Sequence, residues 1–156
     1  MYGAEILQTP ETFVANAFNG SPPAPQRLWL DKTQRRAIRA ILERELGMLR
    51  VRYWRRDTRT AWILEEIGKE LPITTGLLVE GQALADVRVL VYRESRGWEV
   101  KYPAFTDQFI GLRLQSNHQL SGPIDGISGA TLSVRALTKL ARLALLLDSY
   151  VQQSPP

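Results

Sequence analysis

The spacing of apolar residues changes at Leu49 from the period of a helix to the period of a β-strand, and this change limits the folds open to the chain. Ahead of it, the segment DKTQ from Asp31 to Gln34 has the form of a helix capping box. Apolar residues at helical spacing follow as far as Gly47, so the sequence predicts a helix over residues 32–46. From Leu49 onward apolar residues recur at every second position, which is the period of a β-strand.

Four strand-like segments, two of them with this shorter period, predict two β-hairpins. The first hairpin joins the strand that begins at Leu49 to the run TAWILEEIG, with the polar residues Asp57, Thr58 and Arg59 between them. The second hairpin consists of TTGLLVEG and ALADVRVLVYR, which meet at residues 80–82. Together the four strands predict an antiparallel sheet.

Helical spacing returns over residues 131–149 and predicts a second long helix. Residues 94–105 are predicted to form a loop and residues 106–112 a short helical turn. The order helix, two hairpins, helix indicates an α+β fold in which an antiparallel sheet packs against helices on one face. We expect a single domain, with residues 1–69 supplying the first helix and hairpin and residues 70–150 the remainder. The buried stripe of the second helix is predicted to consist of Val134, Leu137, Ala141, Ala144 and Leu145.

The composition excludes several classes of site. The 156 residues include no cysteine and one histidine, His118. Disulfides, thiolate metal sites, cysteine nucleophiles and metal sites built mainly from imidazole are therefore excluded. The 20 basic and 16 acidic residues leave a net charge of +4, which permits anion binding without demanding nucleic acid. The longest apolar run, LALLL, is too short to span a bilayer, which takes about 20 residues.

The stretch DGISGAT lies directly ahead of the second predicted helix. Ser128 or Thr131 can serve as its N-cap, because either hydroxyl can accept a hydrogen bond from a free amide of the first turn. Gly126 and Gly129 allow the chain to turn sharply, and Asp125 suits the positive end of the helix dipole. Taken alone, the residues favour this capping interpretation, because such helix starts are common.

The same groups are also compatible with a phosphate site. The first turn of a helix presents unpaired amides and a partial positive charge, which together attract an anion. A hydroxyl at this point could hold a phosphate covalently, as a phosphodiester. A Walker phosphate loop is excluded, since the chain lacks the Gly-Lys-Ser/Thr element.

DGISGATLS resembles the flavin-attachment motif of the FMN-binding domain family, in which Asp-x-x-Ser/Thr-Gly-Ala-Thr precedes a helix. That family includes the FMN-carrying subunits C of the sodium-pumping NADH:quinone oxidoreductase and G of the Rnf complex. The resemblance implies that Thr131 is esterified through the phosphate of FMN by a flavin transferase that uses FAD as donor. It also implies that Asp125, Ser128, Gly129 and Ala130 form the sequence that the transferase recognises.

A second stretch, YRESRGWEVKYPAFTDQFIG, resembles the family's Glu-Thr-Pro-Gly-Leu-Gly block and the Phe-x-x-Gln-Phe-x-Gly element that follows it. The resemblance, which covers residues 70–148, implies that Glu94, Ser95, Arg96 and Gly97 form a loop that contacts the flavin. We expect Trp98, beside this loop, to stack near the isoalloxazine ring. Arg96 and Glu99 depart from the family pattern, which has proline and glycine at these positions. The matching residues are Glu94, Ser95, Gly97, Phe105, Gln108, Phe109 and Gly111.

The resemblance implies a flavoprotein that carries electrons and works outside the cytoplasm, for example in the periplasm. The expected partners are the flavin transferase and membrane-bound redox proteins, and the leader is expected to precede the sequence given. Arg93, Arg96 and Lys101 are candidates for positive charge near the ring, where they would stabilise the reduced flavin. No substrate-transforming residues are recognisable, so a stand-alone catalyst is not predicted.

Two other functions remain as alternatives. The same pocket could hold FMN without a covalent bond, in a flavin-binding or flavin-sensing module. The run RVRYWRRDTR mixes basic and aromatic residues, as surfaces that bind single-stranded nucleic acid do. A strand with a solvated basic face is the favoured interpretation of that run, and nucleic acid is not an expected partner. His118 is interpreted as a surface or loop histidine.

Overall fold

The computed structural model describes residues 3–153, which form a six-stranded antiparallel sheet with four α-helices. The predicted α+β fold is therefore confirmed. Two short 3-10 helices, Trp98–Lys101 and Asp107–Phe109, precede and follow the helical turn Pro103–Thr106. The strands are β1 (Glu5–Ile6), β2 (Gln26–Trp29), β3 (Arg50–Arg56), β4 (Arg59–Ile67), β5 (Pro72–Glu80) and β6 (Ala83–Tyr92). Within the sheet they lie side by side in the order β1-β6-β5-β4-β3-β2. The helices are α1 (Pro10–Ala17), α2 (Lys32–Leu42), α3 (Pro103–Thr106) and α4 (Thr131–Gln152).

Both predicted hairpins are present, but they differ in how far their strands pair. β5 and β6 pair along most of their length around a tight turn in which Gly81 and Gln82 have φ values of 58° and 66°. β3 and β4 pair only where residues 54–56 meet residues 59–61. Residues 50–53 pair with β2 on their other side, so the sheet opens into a fork between β3 and the remainder of β4.

The helices cover both faces of the sheet, which differs from the predicted one-sided arrangement. α2 and α4 pack on the face that carries Tyr53 and Trp62. The opposite face carries their neighbours Trp54 and Ala61, and α1 packs there through Phe13. Helix α1 was not predicted, although Thr9 caps it and proline occupies its first turn. With eight residues it is too short for helical periodicity to stand out.

The two predicted helices begin where expected but end elsewhere. Helix α2 ends at Leu42, four residues before the predicted end, because Glu43 adopts a left-handed conformation with φ 61° and bonds back to the Arg39 carbonyl. Helix α4 begins at Thr131, as predicted, and continues to Gln152. On α4, the predicted stripe is buried except at Val134, which is half-buried. Across residues 3–153, no helix combines the length and apolarity needed to cross a membrane.

A buried polar network ties the far end of α4 to the sheet. Asp148 is fully buried, and its Oδ1 accepts hydrogen bonds from Thr60 Oγ1 at 2.7 Å and from Gln152 Nε2 at 3.2 Å. The Trp62 indole donates in turn to Thr60 Oγ1 at 2.8 Å. The second carboxyl oxygen of Asp148 has no hydrogen-bond partner among the described residues. Burial therefore raises the pKa of Asp148, and the bond from Thr60 only partly offsets it.

We expect this carboxyl group to make the free energy of unfolding fall as pH rises above the ordinary aspartate pKa of 3.8. The unfolded chain releases the proton near that value, whereas the folded chain retains it to higher pH, so ionisation favours unfolding. The fall should be about 1.4 kcal/mol for each pH unit between the two pKa values. Asp148→Asn should remove it, and urea denaturation of both proteins from about pH 4 to about pH 8 measures the difference. Equal pH slopes for variant and wild type would contradict the assignment.

Candidate functional site

A cleft of about 590 Å³ lies where the start of α4 meets the β4–β5 turn and the chain leaving β6. Three short segments line it, at residues 69–71, 93–97 and 129–133. The second and third contain seven of the ten residues predicted for the flavin site. The structure thus brings two separate sequence blocks to one cavity, and adds the β4–β5 turn as a third wall.

Thr131 is the first residue of α4 and is exposed in this cleft. The N-cap is Ala130, and no side chain caps the first turn. The prediction that Ser128 or Thr131 is the N-cap is therefore wrong, because the chain turns at Gly129, with φ 83°, and places an alanine at the capping position. Thr131 keeps a hydroxyl without a capping role beside amides that no side chain satisfies.

Glu94 fixes the β4–β5 turn that forms the third wall. Its Oε1 accepts hydrogen bonds from the backbone amides of Glu70 at 2.7 Å and Leu71 at 3.1 Å, and its Oε2 accepts one from Lys69 at 2.8 Å. Three amide donors on one carboxylate make strong, charge-assisted contacts across 23 to 25 positions of sequence. The side chain of Glu94 therefore shapes the cleft by holding its wall in place.

Gly97 lets the chain that leaves β6 pass directly over the first turn of α4. It has φ 73°, and a Cβ atom there would lie 2.9 Å from Ser133 Oγ and 3.0 Å from the Tyr92 hydroxyl. That hydroxyl donates to the Arg96 carbonyl and lies 3.4 Å from Ser133 Oγ, and burial raises the pKa of Tyr92. Both the backbone conformation and the lack of space require glycine at this position.

The cationic residues at the cleft differ in what they contact. Lys69 and Arg96 line it, and within the described part of the chain neither forms a hydrogen bond or an ion pair through its side chain. Arg93 also lines it, but its Nη1 donates to the Pro72 carbonyl at 2.7 Å. Lys101 does not line the cleft and is bonded to Glu5, because the 3-10 helix turns it away. Lys69, which the sequence did not indicate, therefore joins Arg96 as a free cation of this site.

Three predicted site residues lie outside the lining. Asp125 and Ser128 are exposed on the approach to α4, and the Asp125 amide donates to Gln108 Oε1 at 2.8 Å. Trp98 is 45% exposed and packs edge-on against Tyr102, with ring centroids 5.7 Å apart. The roles assigned to all ten residues stay predictions, since these placements concern position alone.

Two apolar side chains of the cleft were not predicted. Leu71 and Leu132 line it and are 43% and 42% exposed. Leu132 directly follows Thr131, so its position next to the predicted attachment residue could be read from the motif. Leu71 reaches the cleft only through the bonds that Glu94 makes to its turn. Among the described residues, no group of three or more histidine, aspartate or glutamate side chains is placed to hold a metal ion.

Comparison with known proteins agrees with this geometry. The family model described as the FMN-binding domain matches residues 68–146, a little over half of the chain. The matched range contains all three segments that line the cleft. No curated protein and no solved structure gives a significant match.

Proposed function

This chain belongs to the FMN-binding domain family and is an FMN-binding flavoprotein, and we propose that it carries electrons with the cofactor attached covalently to Thr131. The proposal rests on Thr131, which is the first residue of α4 and is exposed in the cleft, and whose hydroxyl has no capping role. A hydroxyl in this position is available for a phosphoester, and the neighbouring first-turn amides can stabilise the remaining phosphate charge.

The remaining lining of the cleft fits FMN. Its volume of about 590 Å³ lies within the range of small-molecule pockets. Leu71 and Leu132 supply apolar surface for a flat ring, and the free cations Lys69 and Arg96 suit an anion. Polar groups among apolar walls are the usual composition of a cofactor site.

Attachment requires a donor that carries an activated phosphate, for which FAD is the proposed molecule. The Thr131 oxygen forms a bond to the phosphorus of the FMN half, the pyrophosphate bond to the AMP half breaks, and AMP leaves while the hydroxyl proton passes to a base. A flavin transferase would have to reach this hydroxyl and read the sequence around it. Exposure of Asp125, Ser128 and Gly129 supports such access.

Bound FMN supplies the redox chemistry, since a flavin accepts and donates one or two electrons. The chain fixes the position of the cofactor and sets the charge around it. We place the protein outside the cytoplasm, with membrane-bound redox proteins as partners, because a covalent bond prevents loss of FMN where free FMN is scarce. Recovery of the native protein in the cytoplasmic fraction of its host cells would contradict this location.

The charge of the cleft gives a test of the electron-carrier role. Reduction adds negative charge to the flavin, so Lys69 and Arg96 should favour the reduced form. We expect Lys69→Gln and Arg96→Gln each to lower the midpoint potential by roughly 30 mV, which equals about 1.4 kcal/mol for a two-electron couple. Lys101→Gln is the matched control, because this lysine lies outside the cleft and should leave the potential unchanged. Spectroelectrochemical titration of the FMN-loaded proteins measures all three, and equal shifts in the control would contradict the placement.

A further inference from the structure

The fork in the sheet encloses a second cavity, of about 450 Å³. It lies between β3 and β4 beyond their three paired positions, and Leu143 and Leu147 of α4 close its base. Apolar side chains, among them Met48, supply most of its lining, and its charged members are Arg44, Arg52 and Glu65. Leu143 lies 12 residues after Thr131, or roughly 18 Å along the helix axis, so this cavity is separate from the FMN cleft.

A row of arginines lies on the sheet face that also carries Trp54 and α1, and one of them, Arg52, lines the same cavity. The register places Arg27 opposite Arg52 and Trp29 opposite Arg50, so these side chains share one face. Arg56 follows on that face of β3, where its Nη2 donates to the Ser21 carbonyl at 2.7 Å and its guanidinium lies over the Phe18 ring. All four arginines are exposed, and none forms an ion pair with a carboxylate of the described residues.

Large apolar side chains stand beside these charges. Trp29 is 63% exposed, and the neighbouring residues Met48 and Leu49 are 51% and 57% exposed. Arg50 lies over the Trp29 ring, with 5.4 Å from its guanidinium carbon to the ring centroid. Exposed arginines without carboxylate partners, an exposed tryptophan and exposed aliphatic side chains beside a mostly apolar cavity are together typical of a surface that docks on anionic lipid.

We propose that this surface, formed by Arg27, Trp29, Met48, Leu49, Arg50, Arg52 and Arg56 and called here the arginine face, binds anionic phospholipid bilayers. The arginines attract the lipid phosphates, while Trp29 and the aliphatic pair enter the interface. The cavity behind them offers apolar space to part of an acyl chain. Charge and apolar insertion supply the two contributions that stable peripheral binding needs.

The geometry favours lipid over nucleic acid as the occupant. Bases bind single-strand surfaces by stacking on free aromatic faces. Here Arg50 covers a face of Trp29, and Arg52 lies 4.9 Å from the ring centroid of Trp54, which is only 9% exposed. A base therefore cannot stack on the face of either ring that its arginine occupies. The exposed aliphatic residues, in turn, have no role in binding the polar backbone of a nucleic acid.

Binding of the full chain to vesicles tests the proposal. At low salt we expect co-sedimentation with phosphatidylcholine vesicles that contain about 30% phosphatidylglycerol, and none with pure phosphatidylcholine. Arg50→Gln with Arg52→Gln should weaken binding roughly 30-fold, given the usual effect of two cations near an anionic surface. The matched control is Arg36→Gln with Arg135→Gln, which removes two exposed arginines elsewhere and should bind nearly as wild type.

A second measurement reports on insertion. Phosphatidylglycerol with brominated acyl chains should quench the fluorescence of Trp29, and Trp29→Phe should remove most of that quenching while Trp98→Phe retains it. The proposal is overturned if the wild type ignores the anionic vesicles, or if both arginine pairs have equal effects. It is equally overturned if Trp29→Phe leaves quenching unchanged, or if an oligonucleotide or acidic polypeptide binds through Arg50 and Arg52 while vesicles do not.

Discussion

Thr131→Val abolishes covalent flavin incorporation completely when the protein is produced together with a flavin transferase and FAD. Valine has nearly the shape of threonine but no oxygen that can bond to phosphorus, so no partial incorporation is expected. The side chain is exposed and caps nothing, so the change in folding stability should stay within about 0.5 kcal/mol. Flavin fluorescence of the denatured protein on a gel, with intact mass, measures incorporation.

Two variants sharpen this result. Thr131→Ser keeps a hydroxyl at the same position and should retain some flavin. Thr138→Ala removes a hydroxyl two turns further along α4, outside the cleft, where it only bonds the Val134 carbonyl at 2.9 Å, and it should be flavinylated like the wild type. If Thr131→Val still carried acid-stable flavin, the attachment residue would be another one. If it bound FMN only reversibly, the cleft would be shown to hold the cofactor without the covalent bond.

Gly97→Ala should lower the free energy of unfolding by about 3 kcal/mol. Left-handed backbone costs a residue with a Cβ about 1–2 kcal/mol. The added carbon would also lie 2.9 Å from Ser133 Oγ and 3.0 Å from the Tyr92 hydroxyl, where both neighbours belong to packed elements. The segment after β6 would have to move away from α4, so flavin incorporation should fall as well. Urea denaturation with linear extrapolation measures the stability change.

Gly20→Ala separates the two causes. Gly20 has φ 88°, close to the 73° of Gly97, but a Cβ there would meet nothing within 4 Å. It should therefore show only the conformational penalty of about 1–2 kcal/mol. Equal losses for the two variants would contradict the close packing of Gly97 on α4, and a larger loss at Gly20 would contradict the backbone assignment.

The parts of the fold that were predictable from sequence are those with local signals. The capping box at Asp31 predicted the start of α2. Alternation along β6, together with the turn residues that join it to the preceding apolar run, predicted the hairpin of β5 and β6, which pair with each other over most of their length. β2 could not be predicted in this way, because four mostly exposed residues show no alternation and become a strand only by pairing with β3. The fork between β3 and β4 likewise has no signal in either strand alone.

In the candidate site too, features with a local sequence signal were predictable and features that depend on distant residues were not. The motif that ends at Thr131 predicted where the helix starts, yet the local capping rule assigned the wrong N-cap, because the turn at Gly129 places Ala130 and not a hydroxyl residue at the capping position. Lys69 and Leu71 were missed because their place in the cleft depends on the carboxylate of Glu94, which is more than 20 positions away in sequence. Contacts of this length are set by the paired sheet and leave no local pattern.

Peptide-mapped mass spectrometry of the wild-type protein tests whether FMN is attached covalently to Thr131. After incubation with a flavin transferase and FAD, we expect the intact protein to gain the mass of one FMN minus one water. Fragmentation should then locate that addition on Thr131. An unchanged mass, under conditions in which the same enzyme modifies an established substrate, would contradict covalent attachment, and so would an addition mapped to any other residue.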